Sequence, residues 1–199
     1  MKRGLIVLLA VVALLVILVA SLVRTYNGFV AAQEQVEGQW GNVENVYQRR
    51  ADLIPNLVET VKGYASHERE TLEAVTNARA RATQMQAEIT PESLNDPQFL
   101  QRFQAVQGEL SSALSRLMVV VERYPDLKAN QGFLDLQAQL EGSENRIAVE
   151  RRRFNDLARD FNTQIRRFPG SLIAGMFGFE RKAYFEAAEG AETAPKVEF

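Results

Sequence analysis

The chain's one histidine, His67, is followed directly by Glu68 in the run "SHERE". His-Glu opens the H-E-x-x-H metalloprotease pattern, in which two imidazoles one helical turn apart grip zinc while the glutamate acts as base. Here the second ligand position holds Thr71, and the chain contains no cysteine and no other histidine. A transition-metal site built from the usual nitrogen and sulfur ligands cannot be assembled, so His67 reads as a surface helical residue. The lack of cysteine also removes disulfides and thiol catalysis. The carboxylate pairs Glu68/Glu70 and Glu186/Glu189 stand among solvated charges, and no glycine-rich phosphate loop or G-x-S-x-G nucleophile elbow occurs. The expectation is a protein with no catalytic residues, no metal and no cofactor.

Chemistry of another kind is suggested by polar residues in apolar positions. Arg50, Glu144 and Arg151 fall in phase with the apolar stripes of their segments. Burying such charges unpaired costs several kcal/mol. Either they pair across helices as a polar layer that sets register, or they lie near helix ends where water reaches them. Of the triplet Arg151–Arg153, two side chains read as solvated, with Arg151 at a helix seam. Asn155 and Asn162 lie seven residues apart, beside the apolar Phe154 and Phe161, which puts both amides on one edge of the seam within reach of a neighbouring helix.

The elements that must position these groups begin with an anchor. Gly4 to Val23 contains no charged residue, and as a helix it is ~30 Å long, the thickness of a bilayer's hydrocarbon core. It exceeds the roughly 7–15 residues of a signal-peptide apolar region. Lys2 and Arg3 precede it and only Arg24 follows closely, which places the N-terminus in the cytoplasm and the remainder outside. Without those three residues the rest of the chain holds 20 basic and 25 acidic residues, a formal charge of −5. A mildly acidic domain is a poor partner for nucleic acid, whose phosphates demand clustered Lys and Arg.

Beyond the anchor, apolar residues recur at steps of three and four: Tyr26, Phe29, Val36, Trp40, Val43, Tyr47, Ile54, Leu57, Val61 and Tyr64, then Val75, Ala78, Ala82, Met85 and Ile89. Later stripes run from Phe99 to Tyr124 and from Phe133 to Phe168, and no segment shows strand periodicity. This coiled-coil-like pattern predicts an all-α fold. Thr90–Pro91 and Asp96–Pro97 both read as helix starts, a capping residue followed by proline. A helix from Tyr26 to Ile89 would span 64 residues, against 28 for Pro97–Tyr124 and 36 for Phe133–Phe168. A break near Asp52, with Asp52 as cap and Pro55 in the first turn of a new helix, gives four helices of similar length. A proline-kinked continuous helix is the alternative.

Several stretches then carry a resemblance. "YN" at Tyr26–Asn27, "RRADLIPNLVETVKGYASHE" from Arg49, "NARA" from Asn77, "ENRIA" from Glu144, the two "FN" steps at Phe154 and Phe161, and "AYFEA…APKVEF" at the C-terminus resemble the LemA family of bacterial membrane-anchored helical proteins. The family usually has tyrosine where this chain has Phe154 and Phe161. The resemblance implies an N-terminal membrane helix followed by an antiparallel up-and-down four-helix bundle, and no catalytic residues. It also implies an association with membrane proteolysis or envelope-stress components. Within the matching blocks, Asn56 and Asn145 join Arg50, Asp52, Pro55, Glu144, Arg151, Asn155 and Asn162 as candidate interaction or structural positions.

The expected organisation is an anchor at 1–24, a helical bundle at 25–170, and a C-terminal segment at 171–199. In that segment "SLIAGMFGF" either packs on the bundle base or dips into the membrane interface. The expected function is a non-enzymatic, membrane-tethered interaction or scaffold module of the bacterial inner membrane. It would dock an unknown protein partner at the membrane-distal end, where the turn at Asp52–Pro55 meets the "YPDLKANQG" loop. The alternative is an envelope sensor that signals through helix register, which needs at least a homodimer. Hydrolase chemistry is disfavoured.

Overall fold

The computed structural model describes residues 2–186, which are helical apart from turns and one extended segment; no strand occurs among the described residues. Helix α1 (Lys2–Tyr64) begins at the apolar run and continues without interruption for 63 residues. Leu5 to Val23 is exposed along its whole length, an apolar cylinder that no protein atom covers. This one helix is long and apolar enough to cross a membrane. Past Arg24 the same helix turns amphipathic and buries Phe29, Val36, Trp40, Val43 and Tyr47.

The turn expected at Asp52–Pro55 does not form. Proline lacks the N–H that would bond the carbonyl one turn back, so the carbonyl of Ala51 is left without its helical partner. The Nε of Arg79, on α2 (Arg69–Ala87), donates to that carbonyl at 2.7 Å and replaces the missing bond. Asp52 is no cap; it accepts from Gln48 Nε2 at 2.7 Å, one turn earlier in the same helix. The chain reverses instead at Ala65–Glu68, just beyond Gly63, the weakest helix former in that last turn. His67 lies exposed in this turn rather than on a helix.

After α2, the expected helix start at Thr90 is a single 3-10 turn, Glu92–Asn95, in which Ser93 Oγ donates to the Thr90 carbonyl at 2.7 Å. The second expected start is a helix start: Asp96 Oδ1 accepts from Gln98 N at 2.8 Å, and Pro97 opens α3 (Pro97–Val121). A one-turn helix α4 (Pro125–Lys128) leads to Asn130, which caps α5 (Gln131–Arg166) by accepting from Phe133 N at 3.0 Å. Helix α6 (Gly170–Phe177) ends at Gly178, whose φ of 73° is a left-handed conformation suited to glycine. Residues 179–186 then run extended.

Helices α1 and α5 pack antiparallel, with Gln39 meeting Glu150, Arg50 meeting Glu144 and Tyr64 meeting Asn130. Helices α2 and α3 form a hairpin against them, and Glu68 receives the Tyr124 hydroxyl and Arg123 at the far end. Arg50 is not at that end; it precedes Tyr64 by ~21 Å of helix rise. The α2–α3 loop also stops well short of the apolar run. Thr90, Pro91 and Leu94 lie beside Glu37, Trp40 and Glu44, and Glu37 is ~21 Å along α1 from Val23. The length-matching expectation misjudged this space, because α6 and the extended segment fill it. The remainder of the expected C-terminal segment, 187–199 with "APKVEF", lies outside the described residues.

Candidate functional site

Arg50 is 1% exposed, among the largest side chains buried to that degree. Its Nη1 donates to Glu144 Oε2 at 2.7 Å and to Ser111 Oγ at 3.0 Å, while Nη2 donates to Gln107 Oε1. The guanidinium also lies 5.3 Å from the centroid of the Tyr47 ring, and its Nε finds no protein partner. Glu144 is 56% exposed, so the pair joins a buried cation to a carboxylate that water still reaches. Such a pair is less demanding than a fully buried one, because only one ion loses its hydration. Burial pushes the Tyr47 phenol above its usual range.

Above this pair opens a groove of about 890 Å³ between α1, α3 and α5, its walls including Gln101, Gln104, Ser111, Ser112, Arg151 and Glu186. Its chemistry is that of carboxamides and hydroxyls. One end is already filled by the extended segment, and the manner of filling is informative. Asn162 Nδ2 donates to the Lys182 carbonyl at 2.8 Å while its Oδ1 accepts from Lys182 N at 2.9 Å. Asn155 repeats the grip on Phe185, at 2.8 and 2.9 Å. Gln104 repeats it again on Glu186, at 3.0 and 3.1 Å.

A carboxamide offers one donor and one acceptor side by side, as a peptide unit does, and so substitutes for a neighbouring strand. The registers agree. Seven residues of helix rise ~10.5 Å, and three residues of extended chain span ~10 Å. Asn155 and Asn162 therefore meet Phe185 and Lys182 without strain. They had been expected to reach a neighbouring helix; they hold a backbone with no secondary structure of its own.

The remaining sequence candidates disperse. Arg151 stacks on Phe185, 4.6 Å from its ring centroid, and donates to the Glu186 carbonyl at 3.3 Å, which puts it on the groove wall and outside the Arg50 pair. Asp52, Pro55 and Asn56 lie exposed on α1, and Asn145 lies exposed on α5. Sequence reasoning missed Gln104, Gln107, Ser111 and Arg79. The polar row Gln101, Gln104, Gly108, Ser111 on one face of α3 was the available signal. Among the described residues no group of three or more His, Cys, Asp or Glu side chains is placed to hold a metal ion.

The molecule is an all-helical protein with one helix able to span a membrane and a carboxamide-lined groove on its helical body. It belongs to the LemA family, whose model matches residues 39–199. It is 28% identical to magnetosome protein MamQ 1 of Paramagnetospirillum magneticum, over 96% of this chain and 76% of that protein. It is also 27% identical to magnetosome protein MamQ of Magnetospirillum gryphiswaldense, over 97% and 77% respectively. Protein LemA of Metamycoplasma hominis is 24% identical over 82% of this chain and 69% of that protein.

Proposed function

We propose that this chain is a non-enzymatic, membrane-tethered interaction module of the bacterial envelope. It is an up-and-down four-helix bundle at 25–170, anchored at 1–24 by a span through the inner membrane, with the N-terminus cytoplasmic and the bundle outside. Residues 171–186 of the C-terminal segment complete the bundle's base. The partner surface is the groove beside Arg50, and the ligand is an extended stretch of polypeptide. The far-end turn, formed by Ala65–Glu68 and not by Asp52–Pro55, is not the favoured docking tip.

The observation that carries this reading is the two-point grip of Asn155, Asn162 and Gln104 on the backbone of residues 182–186. The same wall continues past Glu186 as Gln107, Gly108, Ser111 and Ser112. Groups that pair with any peptide backbone give affinity with little dependence on sequence, as strand-addition surfaces do.

The test is a photo-crosslinking amino acid at Ser112 in the full chain, expressed in native membranes. A crosslinked second protein, lost when Gln104 is changed to Leu, is the expected result. Crosslinks only to this chain's own residues 187–199, or to no polypeptide at all, would overturn the groove as a partner site.

A further inference from the structure

Helix α6 is amphipathic in an unusual place. Its inner face buries Gly170, Ile173 and Ala174. A side chain at position 170 would come within 2.8 Å of Phe29, so glycine is what allows the close approach to α1. At the other end of α6, the Phe177 ring lies 4.8 Å from that of Tyr26 and Phe179 lies 5.4 Å from Phe29. The outer face carries Leu172, Met176 and Phe177, 61%, 77% and 58% exposed, and Phe168, in the turn just before the helix, is 82% exposed beside it. Leu172 and Met176 lie one turn apart on this face with Phe168 and Phe177 at its ends, and Phe168 to Phe179 contains no charged residue.

The position of this stripe identifies what covers it. Because α1 is unbroken, it works as a ruler from the membrane: Tyr26 lies ~4.5 Å and Phe29 ~9 Å of helix rise beyond Val23. The residues that hold α6 are therefore within the depth of the headgroup layer. Arg24 and Arg167 line a shared cleft beside Phe168 and Gly170, and Arg166 is exposed next to it. Cations flanking an apolar face is the arrangement of helices that lie in a lipid interface.

We infer that α6 with Phe168 is a second membrane contact, lying in the headgroup–acyl boundary beside the span, with Arg24, Arg166 and Arg167 facing lipid phosphates. The inference rests on reading Gly4–Val23 as the membrane span. Two contacts at one base hold the body at a fixed tilt, which a single helix does not.

The chain has no cysteine, so single-cysteine variants give unambiguous probe sites. The full chain is reconstituted in vesicles of phosphatidylcholine and phosphatidylglycerol. Nitroxide is placed at Leu172→Cys, Met176→Cys, Val12→Cys within the span, and Val119→Cys, which is 70% exposed on α3. The expected result is that 172 and 176 collide with oxygen freely and with a water-soluble nickel chelate several-fold less than 119 does, with 12 the most protected from nickel. Label at 172 and 176 as nickel-accessible as at 119, with 12 protected, would overturn the interfacial helix and leave the tether standing. Nickel access at 12 would overturn the tether and this inference together. Circular dichroism matching the unlabelled chain shows that each variant is folded.

Discussion

The two halves of the helical body are built from different materials. The distal core is aliphatic except for Phe133: Ile54, Leu57, Val61, Leu72, Val75, Leu110, Leu117 and Leu140 close around Ala78, Ala82 and Ala113, drawn from α1, α2, α3 and α5. The small alanines let the α2–α3 hairpin approach closely, and backbone groups here bond within their own helices, apart from the Ala51 carbonyl that Arg79 serves. The proximal core, next to the apolar run of α1, is rich in aromatic rings, with Phe29, Trp40, Tyr47, Phe103, Phe154, Phe161 and Phe185. Helix α2 reaches it only through Met85 near its end, so the last wall is the extended segment, whose backbone groups have no helix to satisfy them. The Asn155, Asn162 and Gln104 amides do so, and large rings fill the irregular space. Phe185 stacks on Trp40 at 5.6 Å and meets Phe154 edge-on at 5.5 Å. Arg50, with Gln107, Ser111 and Glu144, lies between the two cores along α1. Where packing is regular, helices need only apolar faces; where it is not, polar side chains must stand in for missing secondary structure.

This contrast can be broken most directly at Phe185. Phe185→Ala is expected to cost about 3–5 kcal/mol and to raise hydrogen exchange in 29–47 and 147–165. Residues 54–82 and 110–133 should stay near their native protection. Uniform loss of protection would show one cooperative core instead of two.

The boundary layer comes next in size. Glu144→Ala strands a buried guanidinium and is expected to lower stability by about 1–3 kcal/mol, read from urea midpoints. The Arg50→Met/Glu144→Ala double variant should recover much of that loss. Additive losses would show that the two residues do not act as a pair.

A smaller effect sharpens the account of the distal half. Arg79→Met should cost about 1–2 kcal/mol by orphaning the Ala51 carbonyl. In a Pro55→Ala background the restored N–H takes over, and the same change should cost about 0.5 kcal/mol or less. Equal losses in both backgrounds would remove Arg79 as the substitute donor.

The smallest effect is at Tyr47. Its phenol is raised chiefly by burial. A raised phenol contributes stability that is whole below the ordinary value of about 10 and is lost as pH climbs through the raised one. Tyr47→Phe should leave stability at neutral pH nearly unchanged and flatten its decline in alkali.

Much of the fold could be read from residue spacing. The anchor, the all-helical class, the Asp96 cap and the stripes of α3 and α5 are local or periodic signals, which a single sequence carries well. The course of the chain at Pro55 was not legible, because the decisive partner, Arg79, is 24 residues away and acts only once α2 is folded against α1. For the same reason Arg50 and Glu144 could be named as charges needing partners, while the Gln107 and Ser111 contacts could not. Matching helix lengths failed because it assumed that only helices fill a helical core. The extended segment has no periodicity, and its role emerges only when Asn155 and Asn162 are seen to hold it.

The interleaving of the two cores also orders events during synthesis. Distal core residues all fall between Ile54 and Leu140, whereas the proximal core joins Phe29–Tyr47, Leu94–Phe103 and Ile147–Phe185. The half farther from the apolar run is therefore complete first, and the half next to it must wait for nearly the last described residues, although its opening helix is made first. A chain interrupted before Phe185 would leave the rings of Trp40, Phe103 and Phe154 without the side chain that closes over them.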